Sequence, residues 1–402
     1  MDKNVYIIET NQIGMMKAMK KLTYMDNAAT TKISKAALDA MLKYLGDEYG
    51  NPSTLYSIGR DAKKAIEEAR AIVAKGIGAL PDEIYFTGSG TEADNWAMKS
   101  TVELRKDKGR HIITTTIEHP AIINTAKYLE KQGCEVTYLG VDQYGQISLD
   151  ELKNAIRDDT ILITIMTANN EIGTILPIAE IGKIAREKGV LFHTDAVQAV
   201  GHIPIDVVGM NIDLLSFSGH KLSGLKGVGV LYIKKGVKLP PFIHGGGQER
   251  GERSGTENVA GIISLTAAFE EKLRGLPMTR VAQMRDRLIE GLLKIPRSRL
   301  TGDPVNRLPG IASFVFEAVE GESMLLMLDQ HGICASSGSA CSSGSLDPSH
   351  VLMAIGLPHE IAHGSLRLSI GDYNTDEDID FVLETLPGVI AKLRSMSPLW
   401  NE

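Results

Sequence analysis

Short apolar strands alternate with helical patterns along most of this chain, and the strands run into polar clusters. Ile84-Tyr85-Phe86 is followed by Gly88-Ser89-Gly90, and strand-like segments recur near His111–Thr116, Glu135–Leu139, Ile161–Met166 and Val190–His193. Helical spacing fills the gaps near Ala121–Lys131, Leu149–Ile156 and Ile178–Lys188. Strands that are apolar throughout, with helices between them, predict a mostly parallel sheet covered on both faces. The fold class expected is therefore α/β, with one large mostly parallel sheet domain. Composition shifts near Arg274–Pro277. Beyond it a helix at Arg280–Leu293, strands at Ala312–Phe316 and Ser365–Ile370, and helices near Ser323–Gln330 and Thr375–Leu386 predict a smaller α+β domain. The expected division is a peripheral leader over residues 1–22, a large domain over 23–275 and a small one over 276–402. The first strand-like segment, 23–31, is placed with the large domain or against the small one.

Several function classes drop out early. The formal net charge is −7 with no basic tract, which argues against direct nucleic-acid binding. No apolar run approaches the roughly 18 residues of a membrane span. Three cysteines, Cys134, Cys334 and Cys341, make no disulfide framework and no zinc spacing. A reducing, cytoplasmic setting is expected.

Ligands of an open α/β sheet sit outside the carboxyl ends of its strands. The residues found there are informative. After Phe86 come Gly88-Ser89-Gly90-Thr91-Glu92, which suit a phosphate at a helix N-terminus, or simply a capped glycine turn. Glu118 and His119, Asn169-Asn170-Glu171, Asp195 and Gln198, and Ser218-Gly219-His220-Lys221 follow the later strands. Lys221 is a poor core residue, because a buried ammonium is costly unless it is neutralised or used covalently. It either snorkels to the surface or forms a Schiff base. A Schiff-base lysine, an upstream Asp and a phosphate cup are what pyridoxal 5′-phosphate requires.

Thr87–Asn95, Glu118–Pro120, Asn169–Gly173, Thr194–Gln198, Ser218–Lys221 and His244–Thr256 resemble the cysteine desulfurases of the class V aminotransferase group. Asp26-Asn27-Ala28-Ala29-Thr30-Thr31 and Asn51-Pro52-Ser53 do so as well, and the likeness runs in order from about Tyr24 to Gly371. The resemblance implies a fold-type-I pyridoxal-phosphate transferase that works as a homodimer. It implies that Lys221 holds the cofactor and moves the Cα proton. Asp195 would pair with the ring nitrogen, Gln198 with the ring 3′-oxygen, and His119 would stack on the ring and serve in proton transfer. Gly90, Thr91, Ser218 and His220 would form the phosphate cup, with Thr256 reaching in from the other subunit. Asn170 and Arg367 would hold the substrate carboxylate, although Arg367 could otherwise be a surface ion pair.

Cys341 lies in a run of small residues, Ser336 to Gly344, with little to pack. Exposure is the expected state, against the usual burial of a free cysteine. The stretch resembles the longer catalytic loop of the group that supplies iron–sulfur assembly and tRNA thiolation. The implied activity converts L-cysteine to L-alanine with a persulfide on Cys341, passed to a scaffold or other acceptor protein. Selenocysteine lysis, transamination and a weakly catalytic assembly subunit are the alternatives. Cys134 is expected to be structural and Cys334 to pack in the core. Leu225 stands where relatives often have proline.

Overall fold

The computed structural model describes residues 22–276, 278–337 and 347–400. The leader therefore lies outside the described residues, apart from its last residue, and so does Cys341.

The apolar runs become neighbouring strands of one sheet. The strands of the chain are β1 (Thr23–Tyr24), β2 (Ile84–Thr87), β3 (His111–Thr115), β4 (Glu135–Leu139), β5 (Thr160–Thr164) and β6 (Leu191–Asp195). They continue with β7 (Leu214–Ser218), β8 (Gly229–Ile233), β9 (Ser298–Leu300), β10 (Ile311–Phe316), β11 (Ile333–Cys334) and β12 (Ser365–Ser369). Seven of them form a sheet in the order β2-β8-β7-β6-β5-β3-β4. Every pairing among β3 to β7 is parallel, whereas β8 runs antiparallel to both β2 and β7. β3, β5, β6, β7 and β8 are buried at every position, which is why they read as unbroken apolar and threonine runs. Because the strands are parallel, Thr115, Thr164, Asp195 and Ser218 all end at one edge. Helix Gly90–Leu104 packs on β5, β6, β7 and β8, and its start is capped by Ser89, whose hydroxyl accepts from the Glu92 amide at 3.1 Å.

A second, antiparallel sheet has the order β12-β10-β9, and β1 pairs with β11 in parallel. The segment after β1 is stitched to β12: the Ser369 amide donates to the Met25 carbonyl at 2.7 Å, and the Ala28 amide to Ser369 Oγ at 2.8 Å. This brings Ala28 and Ala29 from the second sheet to the edge of the first.

Two expectations need correction. The last helix does not stop near Leu386 but spans Asp376–Met396, straight through Pro387. Proline inside a helix costs about 3 kcal/mol. The turns beyond it bury Val389, Ile390 and Leu393 in the second core, at roughly 1.5–3 kcal/mol each for full burial, which outweighs that cost. Cys334 is only half-buried, because strand alternation sends its neighbour Ile333 into the core instead. Cys134 is buried beside Met98, Ile112 and Leu129. Among the described residues no helix is long and apolar enough to cross a membrane.

Candidate active site

The strand ends surround a cavity of about 320 Å³. Gly90, Thr91, His119, Asn170, Asp195, Gln198, Ser218, His220, Lys221 and Arg367 all line it. Thr256 does not; it is exposed on the stretch that follows Glu249.

Asp195 ends β6, is 5% exposed, and accepts the Val197 amide on Oδ1 at 2.9 Å. Burial pushes its carboxyl up, opposed by His119, by the Val197 amide and by Lys221. Ser218 ends β7, and a tight turn over Gly219–Lys221 turns the lysine toward the Ala28–Ala29 segment. Its Nζ donates to the carbonyls of Ala28 and Ala29, the latter at 2.8 Å. Gln198 Nε2 donates to the same Ala28 carbonyl at 2.9 Å. The hydroxyl of Thr31 donates to the His220 carbonyl at 2.7 Å and accepts the Ser223 amide at 2.9 Å, which braces the lysine turn. His220 is pushed down to about 4, chiefly by burial and then by Lys221 and Lys226.

Gly90 opens the helix against Val197: a Cβ there would lie 2.7 Å from Val197 Cγ2. Only glycine lets this helix end come so close to the Asp195 turn. His119 caps helix Pro120–Lys131, with Nδ1 accepting the Ala121 amide at 3.1 Å. Burial lowers its basicity, opposed by Asp195, and because Nδ1 accepts the Ala121 amide the neutral ring carries its proton on Nε2.

Arg367, on β12, is 4% exposed, which removes the surface ion-pair reading. Its Nη1 donates to the Asn170 carbonyl at 3.0 Å and its Nη2 to Asp26 Oδ1 at 2.8 Å. Among the described residues its buried Nε has no hydrogen-bond partner. Both flanks of the segment that carries Cys341 are tied here. Ser336 and Arg367 exchange backbone hydrogen bonds at 3.2 and 2.7 Å. On the far side the Ser349 hydroxyl donates to Glu171 Oε2, and His350 Nε2 lies 3.0 Å from the Glu118 carbonyl.

Sequence reasoning assigned no role to several contributors. Ala28 and Ala29 act through carbonyls, which no side-chain pattern reveals. Glu118 accepts the Thr115 hydroxyl and the Met166 amide, and burial pushes it up to about 8. Glu171 is likewise pushed up to about 7 by burial. Asp94, within the Thr87–Asn95 stretch, also lines the cavity. Leu225 has a use that proline would lose, since its amide donates to Ser264 Oγ at 3.1 Å.

Fold and site together define a class of enzyme. The family described as "Aminotransferase class-V" matches residues 23–382, and the chain belongs to it. Within that class it is 58% identical to the cysteine desulfurase IscS of Methanosarcina thermophila, over 94% of each chain. A solved structure described as a NifS-like protein has a TM-score of 0.87 and 38% identity, covering 92% of this chain and 100% of its own. Another, described as "SspA in complex with cysteine", has a TM-score of 0.79 and 39% identity, covering 88% and 99%.

Proposed function

We propose that the protein is a pyridoxal 5′-phosphate-dependent cysteine desulfurase, which converts L-cysteine to L-alanine and leaves the sulfur as a persulfide on Cys341. The observation that carries this reading is the convergence of Lys221, Asp195 and Arg367 on one cavity. Likeness to curated desulfurases over nearly the whole chain supports it.

The residues fit the cofactor. A buried carboxylate, a lysine on a rigid turn, a helix end opened by Gly90, and the polar groups of Ser218, His220 and Thr91 answer its ring nitrogen, aldehyde and phosphate. When bound, the cofactor supplies an electron sink for charge developing at the substrate Cα. Lys221 Nζ would hold the cofactor covalently and then carry the Cα proton. Asp195 would keep a proton on the ring nitrogen, and Gln198 would serve the ring 3′-oxygen. His119 would stack on the ring and serve in proton transfer. The Arg367 guanidinium and Asn170 would bind the substrate carboxylate. The Cys341 thiolate forms an S–S bond to the substrate sulfur as the Cβ–S bond breaks, and the carbon fragment takes up protons and leaves as alanine.

A second copy completes the site. Leu42, Leu45, Tyr49, Leu55 and Tyr56 are exposed, an apolar surface that a homodimer would bury, and the family resemblance assigns the partner subunit's Thr256 to the phosphate cup. The sulfur then passes to an iron–sulfur scaffold or another acceptor protein in the cytoplasm, with tRNA thiolation as a further destination.

The test is to incubate purified protein with L-cysteine and a thiol reductant, then measure alanine and sulfide together. Equal yields are expected. Cys341→Ser should lose at least about a hundredfold in rate, roughly 2.7 kcal/mol of transition-state stabilisation, because serine is un-ionised near pH 7 whereas a thiol is a few per cent thiolate. Mass spectrometry should find one extra sulfur on the Cys341 peptide. A persulfide on Cys334 or Cys134, with Cys341→Ser still active, would refute the assignment. Asp195→Asn should cost about a hundredfold or more in turnover while sparing the fold, since an amide cannot hold the ring nitrogen protonated. Unchanged turnover in that variant would remove Asp195 from the role.

A further inference from the structure

A second buried carboxyl lies beside Asp195 and has no part in the steps above. Asp94 sits near the start of helix Gly90–Leu104, is 1% exposed, and lines the same cavity as Asp195. Among the described residues its Oδ1 has no hydrogen-bond partner. Beneath it runs a row of polar groups across the sheet. Thr164 Oγ1 lies 2.8 Å from His193 Nδ1, and His193 Nε2 lies 2.9 Å from Ser216 Oγ. Asp94 Oδ1 is 3.7 Å from His193 Nε2. His193 and Asp195 are two residues apart on β6, so they share a face.

We propose that Asp94 remains a neutral carboxylic acid through neutral pH and is a positioning residue that leaves Asp195 as the charged carboxylate facing the cofactor ring. The inference deepens the desulfurase reading and rests on it only for the ring nitrogen. Two carboxyls buried against one cavity do not both ionise without large cost. The surrounding charges decide which keeps the proton. Lys221, on the turn after β7, favours an ionised Asp195, and His119, at the start of helix Pro120–Lys131, does so in its protonated form. Asp94 faces the negative charge of Asp195, and that of Glu118 once Glu118 ionises. His193 offers it no positive charge, because burial pushes that imidazole down to about 3. A neutral imidazole has one donor and one acceptor nitrogen, so the row is directional.

Asp94→Asn keeps the shape of the neutral acid and removes its ionisation. A carboxyl that holds its proton when folded stabilises the protein fully below the unfolded pKa of about 4, and that stabilisation is lost as pH rises toward the folded value. Wild type and variant, as purified, are unfolded in denaturant at pH 5, 6 and 7. The ratio of their unfolding equilibrium constants, wild type over variant, is expected to rise with pH by up to about tenfold per unit. A ratio independent of pH overturns the proposal. Asp94→Ser, a second neutral variant, is expected to give the same trend and covers the case in which the asparagine does not fold. In the cofactor-loaded protein, the pH midpoint of the visible absorbance should stay within about 0.3 unit on Asp94→Asn. A fall of about one unit or more would mean that an anion beside Lys221 had been removed, and would also overturn it. If the protein takes up no cofactor, the desulfurase reading fails, while the denaturation series still decides the protonation of Asp94.

Discussion

Replacing Lys221 by alanine is expected to abolish turnover, by about 10⁴-fold or more. That figure is the upper end of what one positioned proton-transfer group contributes, and this lysine is also the one proposed to hold the cofactor covalently. No neighbour can take over. Lys226 acts on His220 only at a distance, and Lys272 is committed to Asp372. The alanine variant should fold, because the Lys221 ammonium makes its contacts with the carbonyls of Ala28 and Ala29, which open toward the cavity. Borohydride reduction of wild type followed by mass spectrometry should fix the cofactor on the peptide containing Lys221, and on none in the variant. Normal turnover of the folded variant would sink the covalent assignment.

The second large effect is on stability. Glu249 and Arg70 form a buried two-point ion pair, at 2.8 and 2.9 Å, and Glu249 also accepts the Phe86 amide at 3.0 Å. Both side chains are almost fully enclosed. Removing one partner strands the other charge, and breaking a buried pair costs about 3–5 kcal/mol. Glu249→Gln should therefore lower the unfolding midpoint sharply. A double change to apolar residues, Arg70→Met with Glu249→Leu, should recover much of the loss, since it leaves no unpaired charge. A single variant as stable as wild type would show that the pair carries no such penalty. Glu249 and Arg250 also take positive φ values, 43° and 62°. The clamp thus holds a backbone shape that side chains disfavour, just before the residue assigned to the neighbouring subunit's site.

Much of this architecture was legible because the physics that makes it is local. A strand buried on both faces must be apolar throughout, so β3, β5 and β6 could be located within two residues. The polar residues after each strand stood out because the next position has nothing apolar to do. Other features were hidden for equally physical reasons. β8 is antiparallel, but a buried strand has the same composition in either direction. Pro387 looked like a stop signal, yet burial of Val389, Ile390 and Leu393 lies beyond it and is a tertiary effect. Ala28 matters through a carbonyl that both Lys221 and Gln198 use. Asp94 sits on a helix whose other residues gave no hint of the row beneath it. The enclosure of Arg367 depends on Asp26, some 340 positions away in sequence, and no local pattern encodes such a contact.

Ser336 and Ser349 bracket the stretch that carries Cys341, and each is fastened to a different residue: one to Arg367, the other to Glu171. Doubling the length of a loop adds only about 0.6 kcal/mol of closure cost. Descendants of this gene can therefore gain or lose residues between those two serines while Ser336 stays paired with Arg367 and Ser349 with Glu171. The spacing of the two anchors, rather than the number of residues strung between them, is what the cavity inherits.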